Sequence, residues 1–282
     1  MHVTRDPAHV RDLLRTVERP LGLVPTMGAL HPGHLELVAR ARAACRTVAV
    51  SVFVNPLQFG PGEDFERYPR AFDGDVAALR TAGADIVYAP EASTMYPEGF
   101  TTTVDPGLVG ARYEGALRPG HFGGVATVCV KLFATTCPDR AYLGAKDAQQ
   151  VAVLRRVVAD LNFPLELVVV PTVRDPDGLA LSSRNAYLDA EQRAAAPGIH
   201  RALDAIARAV RAGETDRERA VARGRAELSA PLREAYLDVV DPRTFDAPQH
   251  IRPPALAIAS AWLGTTRLID NEPIHADDTV RA

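Results

Sequence analysis

Between Leu23 and His34 the chain reads Leu-Val-Pro-Thr-Met-Gly-Ala-Leu-His-Pro-Gly-His. An apolar run, Leu21 to Val24, enters a turn that contains Gly28, and His31 and His34 close the turn with only Pro32 and Gly33 between them. A helix-like run, Leu35 to Ala44, follows at once. A strand, a tight turn and a helix start in that order can hold phosphate, because free backbone N–H groups and the positive end of the helix dipole converge there. Gly33 has no Cβ to keep a ligand off the backbone, and both imidazoles can donate ring N–H bonds to phosphate oxygens. Two plainer readings compete. Zinc ligation from one helix face is disfavoured by Pro32-Gly33, and both histidines could be surface residues at a turn.

Other polar groups also follow apolar strand-like runs. Asn55 and Gln58 lie in Asn-Pro-Leu-Gln-Phe-Gly-Pro-Gly; amides both donate and accept, which suits orienting a small hydroxy acid, although a solvated Pro/Gly turn explains them as simply. Arg67-Tyr68-Pro69-Arg70 adds cations and a phenol. The stretch from Tyr113-Glu114-Gly115 through Arg118 to Gly124 is Gly-rich and leads into a helix, fit for an anion site, a lid or a connector. Gly144-Ala145-Lys146-Asp147-Ala148-Gln149-Gln150 opens another helix, with Asp147 as N-cap and Gln150 three residues on. Lys146, just outside that helix, could reach phosphates, and Gln150 an acid. Lys131 and Lys146 are the only lysines among 32 basic residues, and an ammonium is a compact point charge that a guanidinium fork does not replace. Leu181-Ser182-Ser183-Arg184-Asn185 offers two hydroxyls and a guanidinium to triphosphate oxygens. No Walker loop or dinucleotide fingerprint competes for the role.

The elements that must position these groups alternate. Strand-like runs at Leu21–Pro25, Thr47–Val54, Ala84–Ala89, Arg140–Leu143 and Glu166–Val173 are separated by helix-like runs at His34–Ala44, Phe72–Ala82, Phe122–Thr135 and Ala148–Leu161. That order predicts an α/β fold, a Rossmann-like doubly wound parallel sheet with ligands beyond the carboxyl ends of its strands. The turn-rich Arg174-Asp-Pro-Asp-Gly178 marks a boundary, giving a first domain over 1–172 and a smaller α+β domain over 173–282. The second domain has helices at Ala190–Ala212 and Arg217–Leu232 and strands at Ala235–Val240, Ala255–Leu263 and Thr266–Ile269.

Hydrophobic residues make up 47% of the 282, charged residues 24%, and the net charge is −3. No nucleic-acid or membrane partner is expected from that balance, and no apolar run reaches the ~20 residues a bilayer span needs. The N-terminus lacks a signal-peptide pattern. Cys45, Cys129 and Cys137 suggest small buried hydrophobes in a reducing, cytoplasmic setting.

His-x-Gly-His resembles the signature of nucleotidyltransferases that make acyl-adenylates, and Ser-Ser-Arg corresponds to the mobile phosphate motif of that superfamily. Over nearly its whole length the chain resembles one branch, the pantoate–β-alanine ligases. The matching segments are 25–34, 53–60, 68–70, 118–122, Lys146-Asp147, Gln149-Gln150, 181–185 and Gly264-Thr-Thr-Arg-Leu-Ile-Asp-Asn271. The resemblance implies ATP and Mg²⁺ as cofactors, pantoate and β-alanine as substrates, a homodimer, and a C-terminal lid. It assigns Pro25, Met27, Asn55, Gln58 and Gln150 to pantoate. Met27, Gly33, His34, Gly144, Lys146, Asp147, Val173, Ser182, Ser183 and Arg184 go to ATP, with His31, His34, Lys146 and Arg184 catalytic. Tyr68, Glu114 and Arg118 fall near the amine or pantoyl group, and Asp75 is an outer contact for Mg²⁺. Ala145 and Ala148 stand where the family usually has an acidic and an aromatic residue. The rival readings are a paralogue joining another acid or amine, a transferase that leaves the nucleotide on its product, and a non-catalytic nucleotide-binding protein.

Overall fold

Strands β1 (His2–Thr4), β2 (Leu21–Thr26), β3 (Thr47–Val52), β4 (Ile86–Tyr88), β5 (Arg140–Gly144) and β6 (Glu166–Val170) form one sheet in the order β1-β4-β3-β2-β5-β6, and every neighbouring pair is parallel. Helices α1 (Pro7–Arg15), α2 (Pro32–Ala44), α3 (Phe72–Thr81), α4 (Ala92–Met95), α5 (Glu114–Leu117), α6 (His121–Thr136) and α7 (Ala148–Asp160) connect and follow them. The structure, a computed structural model, describes residues 1–275. Leu21 to Val24 and Thr47 to Ser51 are buried without alternation, as strands covered on both faces must be. Val24, Val48, Val50 and Val87 pack there with Leu37, Val38, Ala41 and Leu79.

Beyond β6 come α8 (Ala190–Ala195), α9 (Gly198–Arg211), α10 (Arg217–Arg225) and an antiparallel sheet of β7 (Arg233–Val240), β8 (Ala255–Leu263) and β9 (Thr266–Ile274). Ile199, Leu203 and Ile206 of α9 form its core with Ala257, Ala259 and Ala261 of β8.

The chain divides into two compact units. One is Met1–Gly144 with Val153–Pro171; the other is Ala145–Ala152 with the chain from Thr172 onward. Residues 145–152 had been expected in the first domain. They group with the second because the Asn271 side chain donates to the carbonyls of both Ala145 and Lys146.

Local differences have local causes. The short strand β1 was not anticipated, since three residues carry no readable period. The expected helix Ala190–Ala212 breaks at Pro197, which caps α9. The last strand runs on to Ile274, paired with Ala255. Cys45 and Cys129 are buried as expected, but Cys137 is exposed, in a left-handed residue that ends α6.

Candidate functional site

The turn after β2 leads straight into helix α2. Gly28 has φ +79° and Ala29 φ +50°, a left-handed pair that reverses the chain and suits glycine first. His31 is the N-cap of α2 and Pro32 its first residue, where a missing N–H costs nothing. The helix therefore starts two residues ahead of its expected beginning at His34. His31 Nδ1 accepts the Gly33 N–H at 3.1 Å and His34 Nδ1 accepts the His31 N–H at 3.4 Å, a reciprocal capping box. The rings sit 4.0 Å apart. With both Nδ1 atoms accepting, the proton of each neutral ring lies on Nε2, the atom that can donate to an anion. The Gly33 N–H is thus taken up by His31.

Asp75 lies under this turn. It is 3% exposed, and its two oxygens accept the Ala29 N–H at 2.9 Å and the Leu30 N–H at 2.8 Å. Each oxygen accepts one backbone N–H, so Asp75 anchors the residues before His31.

Asn55 also turns inward. Its Oδ1 accepts the Leu57 N–H at 3.3 Å and the Tyr96 hydroxyl at 2.7 Å, and its Nδ2 donates to the Gly124 carbonyl at 3.0 Å. An N–H can only donate and a carbonyl only accept, so this amide has one possible orientation. The second Nδ2 proton goes to Gln58 Oε1 at 3.0 Å, which leaves Gln58 Nε2 beside Met27 Sδ at 3.2 Å. Gln58 Nε2 therefore carries its N–H donors toward Met27 and donates to its sulfur, and Asn55, 1% exposed, fixes that orientation of Gln58. Gly124 makes this possible, because a Cβ there would overlap the Leu57 carbonyl.

Arg118 is gripped by its protein neighbours. Its guanidinium donates to Glu63 at 2.8 and 2.6 Å and to the Gln58 carbonyl at 3.1 Å. It also donates to His121 Nε2 at 3.0 Å, so His121 Nδ1 carries the proton and donates to the same Gln58 carbonyl at 2.8 Å. Burial, then the Arg118 charge, push the His121 pKa down to about 4, which keeps the ring neutral. Burial works against the Glu63 charge, but the Arg118 hydrogen bonds and charge outweigh it and hold that carboxyl below its ordinary range. Tyr68, 6% exposed, packs edge-on against Phe59, and Glu114, also 6% exposed, opens α5. Glu63, Tyr96 and His121 were not identified from sequence. His121 stood inside the family-like segment 118–122, while Glu63 carried no signal.

In the second unit, Lys146 sits in a 3-10 turn, Ala145–Asp147, that runs into α7. Its Nζ lies 3.4 Å from Asp147 Oδ1, and its side chain is 19% exposed. Gln150 is half-buried on α7, beside the buried Gln149. Ser182 caps the 3-10 turn Ser183–Tyr187 by accepting the Arg184 N–H at 3.3 Å, so the two serines and the arginine sit at one turn start. The Leu181 N–H donates to the Val173 carbonyl at 3.0 Å, which ties that turn to the residues after β6. Gly144 and Pro25 are strand residues of β5 and β2. Among the described residues no cluster of three or more His, Cys, Asp or Glu side chains could hold a metal ion, and no helix is long and apolar enough to cross a membrane.

Comparison with known proteins gives one consistent result. Residues 2–273 match the family model described as pantoate-beta-alanine ligase. Pantothenate synthetase from Roseiflexus sp. is 50% identical over 278 residues, covering 98% of this chain and all of the relative. The Thermobifida fusca enzyme of that name is 49% identical, covering 96% and 95%. The crystal structure of pantothenate synthetase from Thermus thermophilus superposes with a TM-score of 0.93 at 47% identity, covering 98% and 100%. That of the pantoate-beta-alanine ligase from Francisella tularensis, complexed with beta-gamma ATP and beta-alanine, gives 0.80 at 31% identity, covering 97% of each chain. With matches of this identity over both sheets and every segment of the site, the chain belongs to the pantoate–β-alanine ligase family.

Proposed function

We propose that this chain condenses pantoate with β-alanine in two half-reactions driven by ATP. In the first, the pantoate carboxylate attacks the α-phosphorus of ATP, forming an acyl–phosphate bond and expelling pyrophosphate. In the second, the β-alanine amine attacks the acyl carbonyl, the C–O bond to AMP breaks, and the amine gives up a proton as pantothenate forms. No side chain has to become covalently attached. Catalysis rests on alignment and on charge stabilisation where negative charge moves onto phosphate oxygens. In the first unit, His31 and His34 offer their Nε2–H groups from the start of α2. In the second, Lys146 supplies the point charge, and Ser182, Ser183 and Arg184 take triphosphate oxygens.

The observation that carries this reading is the fixed polarity of the Gln58 amide. Anchored through Asn55, it offers only donors beside Met27, at the carboxyl end of the same strand that feeds the His31–His34 turn. A donor there suits the oxygens of a hydroxy acid and leaves an apolar thioether for its methyl groups. Gln150 is the second amide assigned to the acid. Mg²⁺ arrives with ATP as the substrate complex, held mainly by phosphate oxygens and water as that ion prefers. The working enzyme is taken to be a cytoplasmic homodimer, the dimer being testable by sedimentation velocity.

Incubation with ATP, pantoate and β-alanine tests the reading. It requires AMP and pantothenate in equal amounts. A product that retains the nucleotide, or turnover only with another acid or amine, would contradict it.

A further inference from the structure

The segment Gly264-Thr-Thr-Arg-Leu-Ile-Asp-Asn271 takes no part in the reaction as described, yet its end is built into the second unit with unusual care. Asp270 and Asn271 lie on β9 and are 6% and 5% exposed. Both protons of the Asn271 side-chain amide are used, one on the Ala145 carbonyl at 2.9 Å and one on the Lys146 carbonyl at 2.8 Å. Its backbone is held as well. The Asn271 N–H donates to Asp270 Oδ1 at 2.8 Å, and its carbonyl accepts from Arg174 at 3.2 Å. The same Arg174 guanidinium grips both Asp270 oxygens, at 2.5 and 3.0 Å. Of the small side chains, an amide NH₂ can serve two carbonyls from one atom, and an isosteric carboxylate cannot.

The two carbonyls so gripped flank the Cα of Lys146. A lysine has four rotatable side-chain bonds, and a charge must stand within about an ångström of its working position to act fully in a transition state. Pinning the backbone on both sides removes the part of that freedom the side chain cannot remove for itself. We propose that Asn271, locked by the Asp270–Arg174 ion pair, is a positioning residue that sets the Lys146 ammonium for adenylate formation. This rests on the role given to Lys146 under the proposed function.

A double-mutant cycle read by single-turnover adenylate formation tests it, using the full chain with ATP and pantoate. Asn271→Ala should slow the step by about 10- to 100-fold, the cost of roughly an ångström of misplacement, while ATP and pantoate dissociation constants stay within about twofold. Added to Lys146→Ala, it should slow the step no further, because its effect passes through the lysine. Asn271→Asp, of the same size, should be slower than Asn271→Ala, since it sets a carboxylate against two carbonyl oxygens. Melting curves establish that both variants fold. A wild-type rate in Asn271→Ala, independent and additive losses in the cycle, or equal weakening of rate and ligand binding would overturn the proposal; so would loss of the fold in both variants. Failure of the proposed function looks different, with no adenylate from the unaltered enzyme or a wild-type rate in Lys146→Ala itself, and either result would remove the clamp with it.

Discussion

His34 Nδ1 faces the backbone N–H of His31 at 3.4 Å, while His31 Nδ1 takes the N–H of Gly33. Each histidine therefore does two things at once. One ring nitrogen builds the helix start, and the proton left on the other is oriented by that same bond. The arrangement explains why two imidazoles stand here: a serine or aspartate would cap the helix equally well, but neither would project a donor beyond it.

Replacing His34 by Ala should lower the rate of adenylate formation by about 10²–10³-fold, the usual effect of losing one charge-stabilising donor. Stability should fall by only about 1 kcal/mol, the scale of a lost cap. Thermal melts and single-turnover rates on one preparation separate the two effects. A large drop in melting temperature with a normal rate would make the residue purely structural.

Asp75→Asn should damage the turn without touching metal use. The amide can accept from only one of the Ala29 and Leu30 N–H groups and turns an NH₂ toward the other, a buried mismatch of roughly 1–3 kcal/mol. Activity should drop, with the Mg²⁺ concentration for half-maximal rate unchanged. A rise in that concentration would place Asp75 at the metal.

Gln58 and Asn55, adjacent in the same network, should respond differently. Gln58→Ala removes the donor offered to the acid, so pantoate affinity should fall about 5- to 150-fold, corresponding to 1–3 kcal/mol, with ATP affinity unchanged. Asn55→Ala strands the Gly124 carbonyl, the Leu57 N–H and the Tyr96 hydroxyl, so it should lower the melting temperature as well. Titration of each ligand beside thermal melts distinguishes them, and identical profiles for the two variants would break the relay.

His121 makes stability depend on pH. Its ordinary pKa is 6.5 and the folded value is about 4. Burial is the main cause and the Arg118 charge the second, with Glu114 and Glu63 pulling the other way. Between those values the unfolded chain binds a proton that the folded one refuses, so this contribution to stability declines as pH falls from about 6.5 to about 4 and is level outside that window. His121→Asn, which keeps a donor for the Gln58 carbonyl, should lose that part of the decline. Melting temperatures across the window measure it, and parallel profiles for the two proteins would show that the ring is not held neutral.

What was legible in the sequence was what is contiguous along it. The strand, turn and helix around His31 and His34 lie within one short segment, and the strand-helix alternation forces the parallel sheet by the burial of runs such as Thr47 to Ser51. The roles of Asp75 and Asn271 depend on partners 45 or more residues away in the chain, and 125 or more for Asn271. No local pattern encodes those distances. Residue type alone does not separate two possible roles at Asn55, Asp75 and Arg118. Each is polar and lies in or near a family-like segment, which is equally the mark of a group that touches substrate and of one that orients its neighbour. Only the hydrogen-bond partners separate the two.

The central claim is that the carboxylate of pantoate is activated as an acyl-adenylate before any amine takes part. Exchange of labelled pyrophosphate into ATP, followed without β-alanine, tests that order most directly. Exchange that requires pantoate and proceeds in the absence of the amine is the predicted result. No exchange until β-alanine is added, or exchange that proceeds equally without pantoate, would contradict it.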